Sequence, residues 1–194
     1  MMNKQNDRCL AVVLCCEGFL KMKLRLYKHT TDFERIASWV TDARTHALWC
    51  ANRMAYPVRA AELKLLLENE AREWGGKAYV AVDDGGIPAG CLVCSANEET
   101  RAAFLKFVLV NPHKRGTGIG TQMIRLITHL AFDEMKMERV KLNVFGVNTA
   151  AVRCYEKAGF VVESVDEGAF TVDGEVWDRV HMVMESGDSE LNLR

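Results

Sequence analysis

The chain has no surplus of charge of either sign. Its 194 residues carry 25 Lys and Arg against 26 Asp and Glu, a net charge of −1. That balance argues against a protein that grips nucleic acid through a basic face. Paired cysteine spacing is also missing. Seven cysteines, an odd number, are scattered along the chain, which argues against a disulfide framework and fits a reducing cytoplasm. Cys91-x-x-Cys94 is the one tempting pair. It lies inside an apolar, strand-like run with no second pair downstream, so it reads as two small core residues rather than half a zinc site. No other spacing suits a metal ion, and none is expected. Long apolar runs are absent as well. Residues 10–16 come nearest, but they are far too few to span a membrane, and no small-residue cleavage site follows as a signal peptide requires. There are no internal repeats and no low-complexity linkers.

What remains is an ordinary globular composition, 49% hydrophobic and 26% charged, at a length suited to one domain with a full core. Residues 1–21 do not continue the pattern of the rest, and an alternating strand begins at Met22-Lys23-Leu24-Arg25-Leu26. The expected organisation is a non-structural extension over 1–21, one domain over 22–185 and a flexible tail over 186–194.

Within the domain, Thr30-Thr31-Asp32 reads as the cap of a helix carrying Phe33, Ile36, Ala37 and Val40. Thr41-Asp42 caps a second helix to about Cys50. A third, periodic in Leu63, Leu66, Leu67 and Ala71, runs from Ala60 to Trp74 and stops at Gly75-Gly76. Strands follow on either side of the hairpin signal Asp83-Asp84-Gly85-Gly86, and a third spans 102–110. After a helix come a strand over 139–145, a helix from Asn148 or Thr149 to Ala158, and two last strands turning at 172–175. This order predicts an α/β fold with a mixed, largely antiparallel sheet.

The chemistry concentrates where the strand 102–110 stops at Asn111-Pro112 and Gly116-Thr117-Gly118-Ile119-Gly120 opens into a helix periodic in 123, 124, 126, 127 and 130. Strand, Gly-rich turn and helix N-terminus together aim unpaired N–H groups and the positive end of a helix dipole at one spot, which suits phosphate. A Walker A loop needs a lysine after its last glycine, and Thr121 stands there. A dinucleotide fingerprint needs G-x-G-x-x-G, and Thr121 or Met123 occupies the last glycine position. Arg-x-x-Gly-x-Gly is met by Arg115, Gly118 and Gly120, and this segment resembles the pyrophosphate loop of the GNAT superfamily of acetyl-CoA-dependent N-acetyltransferases.

A second stretch carries the resemblance further. Asn143 at a strand end, then Asn148-Thr149-Ala150-Ala151-Val152-Arg153-Cys154-Tyr155-Glu156-Lys157-Ala158-Gly159-Phe160, is similar to the second motif of that family, A-x-x-x-Y-x-K-x-G-F. The segment with Trp39, Asp42 and Trp49 also resembles the ribosomal-protein N-terminal acetyltransferase branch. The resemblance implies six or seven strands flanked by four or five helices, with the strands near 102–110 and 139–145 splayed apart. It implies acetyl-CoA as cosubstrate and attack by a primary amine, on a small molecule or a peptide N-terminus, in a ternary complex. Val108 and Val110 would pair with the pantetheine arm, with the Val108 N–H as oxyanion donor. Arg115, Gly116, Thr117, Gly118, Ile119 and Gly120 would take the pyrophosphate, Asn148 would contact the cofactor, and Tyr155 would be the general acid. No nucleic acid or membrane partner is implied, a cytoplasmic setting is, and a homodimer is left open.

Other points stay open at this stage. The strand 102–110 contains no acid, so the general base is Glu98, Glu99, His46 or a water chain. By strict alternation Lys106 shares a face with Val108 and Val110. His113, beside Lys114 in a turn, reads as surface. A catalytically silent acetyl-CoA sensor is the alternative to an enzyme, and release of free thiol with a panel of amines separates the two. Truncation to Met22 is expected to leave folding and cofactor binding intact. A large fall in Tm on truncation would show that residues 1–21 pack on the domain.

Overall fold

The structure, a computed structural model, describes residues 22–188; the expected extension over 1–21 and the residues from 189 onward lie outside it. Seven strands, β1 (Lys23–Leu26), β2 (Lys77–Val82), β3 (Pro88–Asn97), β4 (Ala102–Val110), β5 (Arg139–Phe145), β6 (Val161–Val172) and β7 (Glu175–Glu185), form one sheet in the order β1-β2-β3-β4-β5-β7-β6. Every pairing is antiparallel except β4 with β5. Among the described residues there are five α-helices, α1 (His29–Ala37), α2 (Ala43–Cys50), α3 (Ala60–Trp74), α4 (Ile119–His129) and α5 (Thr149–Ala158). The expected mixed, mostly antiparallel architecture is therefore present, in both strand and helix number.

Local chemistry accounts for most element ends. Asp42 caps α2 by accepting the Thr45 N–H at 2.7 Å. Gly159 closes α5 at φ 113°, a conformation that suits a residue without Cβ. The start of α1 departs from expectation. Asp32 does not precede the helix but lies in its first turn, where its carboxylate reaches back to the Lys28 N–H at 2.8 Å. Trp39 and Val40 fall beyond α1, yet both are buried. Ser186–Asp188 form a short 3-10 turn, and the Ser186 N–H bonds to the Glu138 carbonyl at 2.8 Å.

The two larger cores lie on the two sides of the sheet, beside a small third one of Ala47, Phe145 and Trp177. On one, Met123, Ile124, Leu126, Ile127 and Leu130 of α4 and the turn after it pack with Leu105, Val140, Leu142 and Tyr155. On the other, Ile36, Trp39, Trp49, Leu63 and Leu66 from the first three helices pack on Val80, Cys91 and Leu109. Cys91 and Cys94 are thus core thiols on opposite sides of β3, and burial pushes both up to about 12.

β4 changes sides along its length. Leu105 belongs to the α4 side and Leu109 to the α1–α3 side, although an unbroken strand would put them together. The ladder to β3 explains the switch. Cys91 pairs with Leu109 but Val93 pairs with Lys106, so β4 carries one extra residue. Phe107 absorbs it at φ +50°, a left-handed conformation rare for an aromatic residue. The expectation that Lys106 shares a face with Val108 and Val110 is corrected accordingly. Lys106 and Phe107 both turn to the α1–α3 side, and Val108 and Val110 pack against the α4 side.

At the sheet edge, Arg25 of β1 clasps Asp32 through two 2.7 Å hydrogen bonds. Burial by itself would raise the Asp32 carboxyl, but the guanidinium and the Lys28 N–H outweigh it and hold it below its ordinary value. A lowered folded-state pKa contributes stability that is present above the unfolded value and is lost as pH falls through the folded one. Asp32→Asn is expected to lower stability by roughly 1–3 kcal/mol at neutral pH. The gap between the two proteins should narrow as pH drops below about 4. Denaturant titrations from pH 7 to pH 3 measure it; a gap independent of pH would show that the charge is irrelevant.

Candidate functional site

Beyond the bulge, β4 and β5 separate. Their parallel pairing runs from Ala102 with Arg139 to Leu105 with Leu142 and goes no further. Phe107 and Val108 thus have no register partner on β5, and the shift between Cys91 and Val93 leaves them none on β3. A cavity of about 350 Å³ occupies this opening. From the α4 side it is lined by Val108, Leu142, Val144, Asn148, Ala151 and Tyr155, and from the other by Trp49, Arg53, Lys106, Phe107, Asn143 and Arg179. The gap between the strands therefore joins the two faces of the sheet.

The strained turn at Phe107 is pinned by its neighbours. The Trp49 indole N–H donates to the Phe107 carbonyl at 2.9 Å, and the two rings meet edge to face at 6.5 Å. The Arg53 guanidinium lies 5.7 Å from the Phe107 ring centroid. A left-handed non-glycine residue costs of order 1–3 kcal/mol and persists where its surroundings over-determine it. These contacts meet that condition.

Tyr155 is 6% exposed and lines the cavity, and no hydrogen bond from a described residue engages its hydroxyl. Burial, with a smaller push from Cys154, holds the phenol well above its ordinary value, so it stays protonated. Asn148 is the cap of α5, accepting the Ala151 N–H at 3.3 Å, and also lines the cavity.

The Gly-rich turn lies next door rather than in the lining. Gly118 stands at φ +85° before the first turn of α4, with no side-chain cap and nothing within 4 Å of where a Cβ would be. A missing side-chain cap costs about 1 kcal/mol. Each fully buried side chain of the α4 stripe contributes about 1.5–3 kcal/mol, so the helix forms without it. Its first N–H groups are left for another acceptor. At Gly120 a Cβ would lie 3.1 Å from Cys154 Sγ and 3.4 Å from Val110 Cγ2, so this glycine lets β4, α4 and α5 close on one another. The turn is fixed from behind. Lys114 Nζ bonds to Asp83 Oδ2 at 2.6 Å, holding that carboxyl below its ordinary value, and Asp83 also accepts the Ile87 N–H of its hairpin. Thr117 Oγ1 donates to the Lys114 carbonyl at 2.7 Å, and Arg115 and Gly116 face solvent.

None of the expected bases reaches the cavity. Glu98 and Glu99 sit in the exposed turn before β4, and His113 is exposed. His46 is buried with Nδ1 3.1 Å from Asn52 Oδ1 and Nε2 3.3 Å from Cys50 Sγ. Two contributors escaped the sequence reading, Arg53 and Arg179. Arg179 was legible in principle, two residues from the inward-facing Trp177 on an alternating strand; Arg53, in an irregular turn after α2, was not.

The family model for the acetyltransferase (GNAT) family matches residues 33–160. The chain belongs to the GNAT acetyltransferase family. It is 31% identical over 120 residues to a probable N-acetyltransferase of Bacillus subtilis (strain 168), YjcK, covering 62% of this chain and 65% of that protein. It is 36% identical over 53 residues to the aminoglycoside N(6')-acetyltransferase type 1 of Klebsiella pneumoniae, 27% of this chain and 26% of that one. The match thus spans less than two thirds of both relatives. Among solved structures, the spermidine N-acetyltransferase of Vibrio cholerae, in complex with CoA and spermine, superposes with a TM-score of 0.74 at 20% identity. The superposition covers 87% of this chain and 98% of that one. At such identity the likeness is one of fold. Among the described residues no group of His, Cys, Asp and Glu could hold a metal ion, and no helix is long and apolar enough to cross a membrane.

Gly118→Asp is the direct test of the turn. The added carboxylate would compete for the N–H groups at the start of α4, so CoA and acetyl-CoA should each bind about 100-fold more weakly or worse. Calorimetric titration measures this, with a melting curve as control. An unchanged Kd, or tight binding of nucleoside triphosphates with none of CoA, would overturn the assignment.

Proposed function

We propose that the protein transfers the acetyl group of acetyl-CoA to a primary amine by direct attack. The observation that carries this reading is the cavity through the parted strands, with a protonated tyrosine on one wall and the uncapped N-terminus of α4 beside it. Family membership and the CoA-bound structural neighbour support acetyl-CoA as donor. The relatives' names, aminoglycoside and spermidine acetyltransferases, support an amine acceptor. A small molecule suits the cavity of about 350 Å³; a peptide N-terminus would have to enter with its first residue alone.

In this reading the diphosphate lies against Arg115, Gly116, Thr117, Gly118, Ile119 and Gly120, where N–H groups and the helix dipole favour anions. The arm runs along Val108 and Val110 toward Asn148. When the amine attacks the thioester carbonyl, a C–N bond forms and the carbonyl oxygen becomes an oxyanion, which the Val108 N–H is proposed to hold. Collapse breaks the C–S bond. The thiolate takes a hydrogen bond and then a proton from the Tyr155 hydroxyl, and the proton lost by the amine replaces it.

The attacking amine must be uncharged. Among the described residues no carboxylate or imidazole lines the cavity, and the ionic surroundings serve in place of a base. Arg53, Lys106 and Arg179 disfavour an ammonium ion nearby and so favour the free amine. Its proton leaves through water.

Tyr155→Phe keeps the ring and removes the hydroxyl. Fold and acetyl-CoA affinity should hold, while kcat and kcat/KM fall together by roughly 10- to 1,000-fold. Steady-state kinetics with a melting curve decides the matter. Wild-type turnover in a well-folded variant would remove Tyr155 from the mechanism.

A further inference from the structure

All the cations that line the cavity are on one side of the sheet. Arg53 Nη1 bonds to Glu70 Oε1 at 2.8 Å and Lys106 Nζ bonds to Glu70 Oε2 at 2.6 Å. Glu70, on α3, is 1% exposed and lies behind the cavity wall rather than in it. Two cations against one carboxylate leave one positive charge. Arg179, on β7 opposite Phe145, adds another, and no ion pair among the described residues engages it. Asn143 contributes a neutral amide between them. Among the described residues no acidic side chain lines this space, so the wall is net positive and carries donors without matching carboxylate acceptors.

The donor cosubstrate does not account for that charge. On the reading above its diphosphate lies at the start of α4, across the sheet, and the arm and thioester that enter the gap are neutral. Resting on that reading, we infer that the acceptor is a small amine that also carries an anionic group, bound by Arg179 with Arg53 and Lys106 on the face of the sheet opposite Tyr155. Arg179 supplies a planar fork that fits a carboxylate or a phosphate oxygen pair. Arg53 and Lys106, already oriented by Glu70, supply the surrounding field at no further ordering cost. A polycationic acceptor would meet repulsion here, with Glu70 already taken up by Arg53 and Lys106, and Asp166, the cross-strand neighbour of Arg179, bonded to His181.

The experiment compares acceptors as matched pairs, by release of free thiol from acetyl-CoA. L-amino acids are set against their amides, 2-aminoethyl phosphate against ethanolamine, and spermidine stands as the polycation. The anionic member of a pair should be preferred at least about 10-fold in kcat/KM, and Arg179→Gln should raise its KM about 10- to 100-fold and erase the preference. Arg179→Lys should restore part of it. Which anionic member responds identifies carboxylate or phosphate. Spermidine or the uncharged members serving equally well or better would overturn this inference and leave amine acetylation standing. So would a preference that survives Arg179→Gln in a protein whose Tm is unchanged. No thiol release with any amine would overturn both.

Discussion

A single hydrogen bond, from the Trp49 indole to the Phe107 carbonyl, holds the chain at the point on which the site depends. There one extra residue enters β4, the backbone turns left-handed, and the strand exchanges its faces. The consequences follow in order. Phe107 and Val108 drop out of register on both sides, β5 diverges after Leu142, and a cavity opens through an otherwise continuous sheet. Without the bulge, a strand that keeps Leu105 toward α4 would turn Leu109 away from the core it fills and carry Val108 and Val110 to the α1–α3 side. The strain is offset by Trp49 and Arg53, which come from a distant part of the chain, and by the packing of Leu109 two residues further along β4.

The opening separates two electrostatic environments by the thickness of one sheet. Toward α4 and α5 the wall is apolar apart from Asn148 and the Tyr155 hydroxyl, and burial keeps that phenol protonated. Toward α1–α3 it is cationic, with its one counter-charge, Glu70, set back and fully occupied. A proposed thioester in the gap would meet a proton donor on one side. On the other it would meet a field that favours uncharged amines. Under the proposed reading, chemistry that often relies on a carboxylate or imidazole base would draw instead on this cationic field.

The neighbouring Gly-rich turn is held in place from several sides. Asp83 at the β2–β3 hairpin grips Lys114, Thr117 bonds back to the Lys114 carbonyl, and Gly120 lets α4 sit against Cys154 of α5. Three separate elements therefore fix the position of the first N–H groups of α4 relative to Tyr155. Such preorganisation removes an ordering cost that binding would otherwise incur.

Much of this was legible in the residues themselves. The bounds of α3, β4 and β5, the caps Asp42 and Asn148, and the αL stop at Gly159 are local events, set by apolar period and by side chains that bond within a few positions. The Gly-rich turn and the tyrosine motif were legible for the same reason, since both are short, contiguous patterns. Other features depended on distant partners. Asp32 sits inside α1 because Arg25 of β1 makes its burial tolerable, and alternation could not foresee the bulge, whose extra residue is accommodated by a tryptophan from α2. The cationic wall joins Arg53, Lys106 and Arg179, which are remote in sequence and share no motif. Sequence alone determined the family, the element order and the residues of two local motifs. Tertiary structure decided which face each side chain of β4 presents and which charges meet across the gap, because those depend on long-range register and packing.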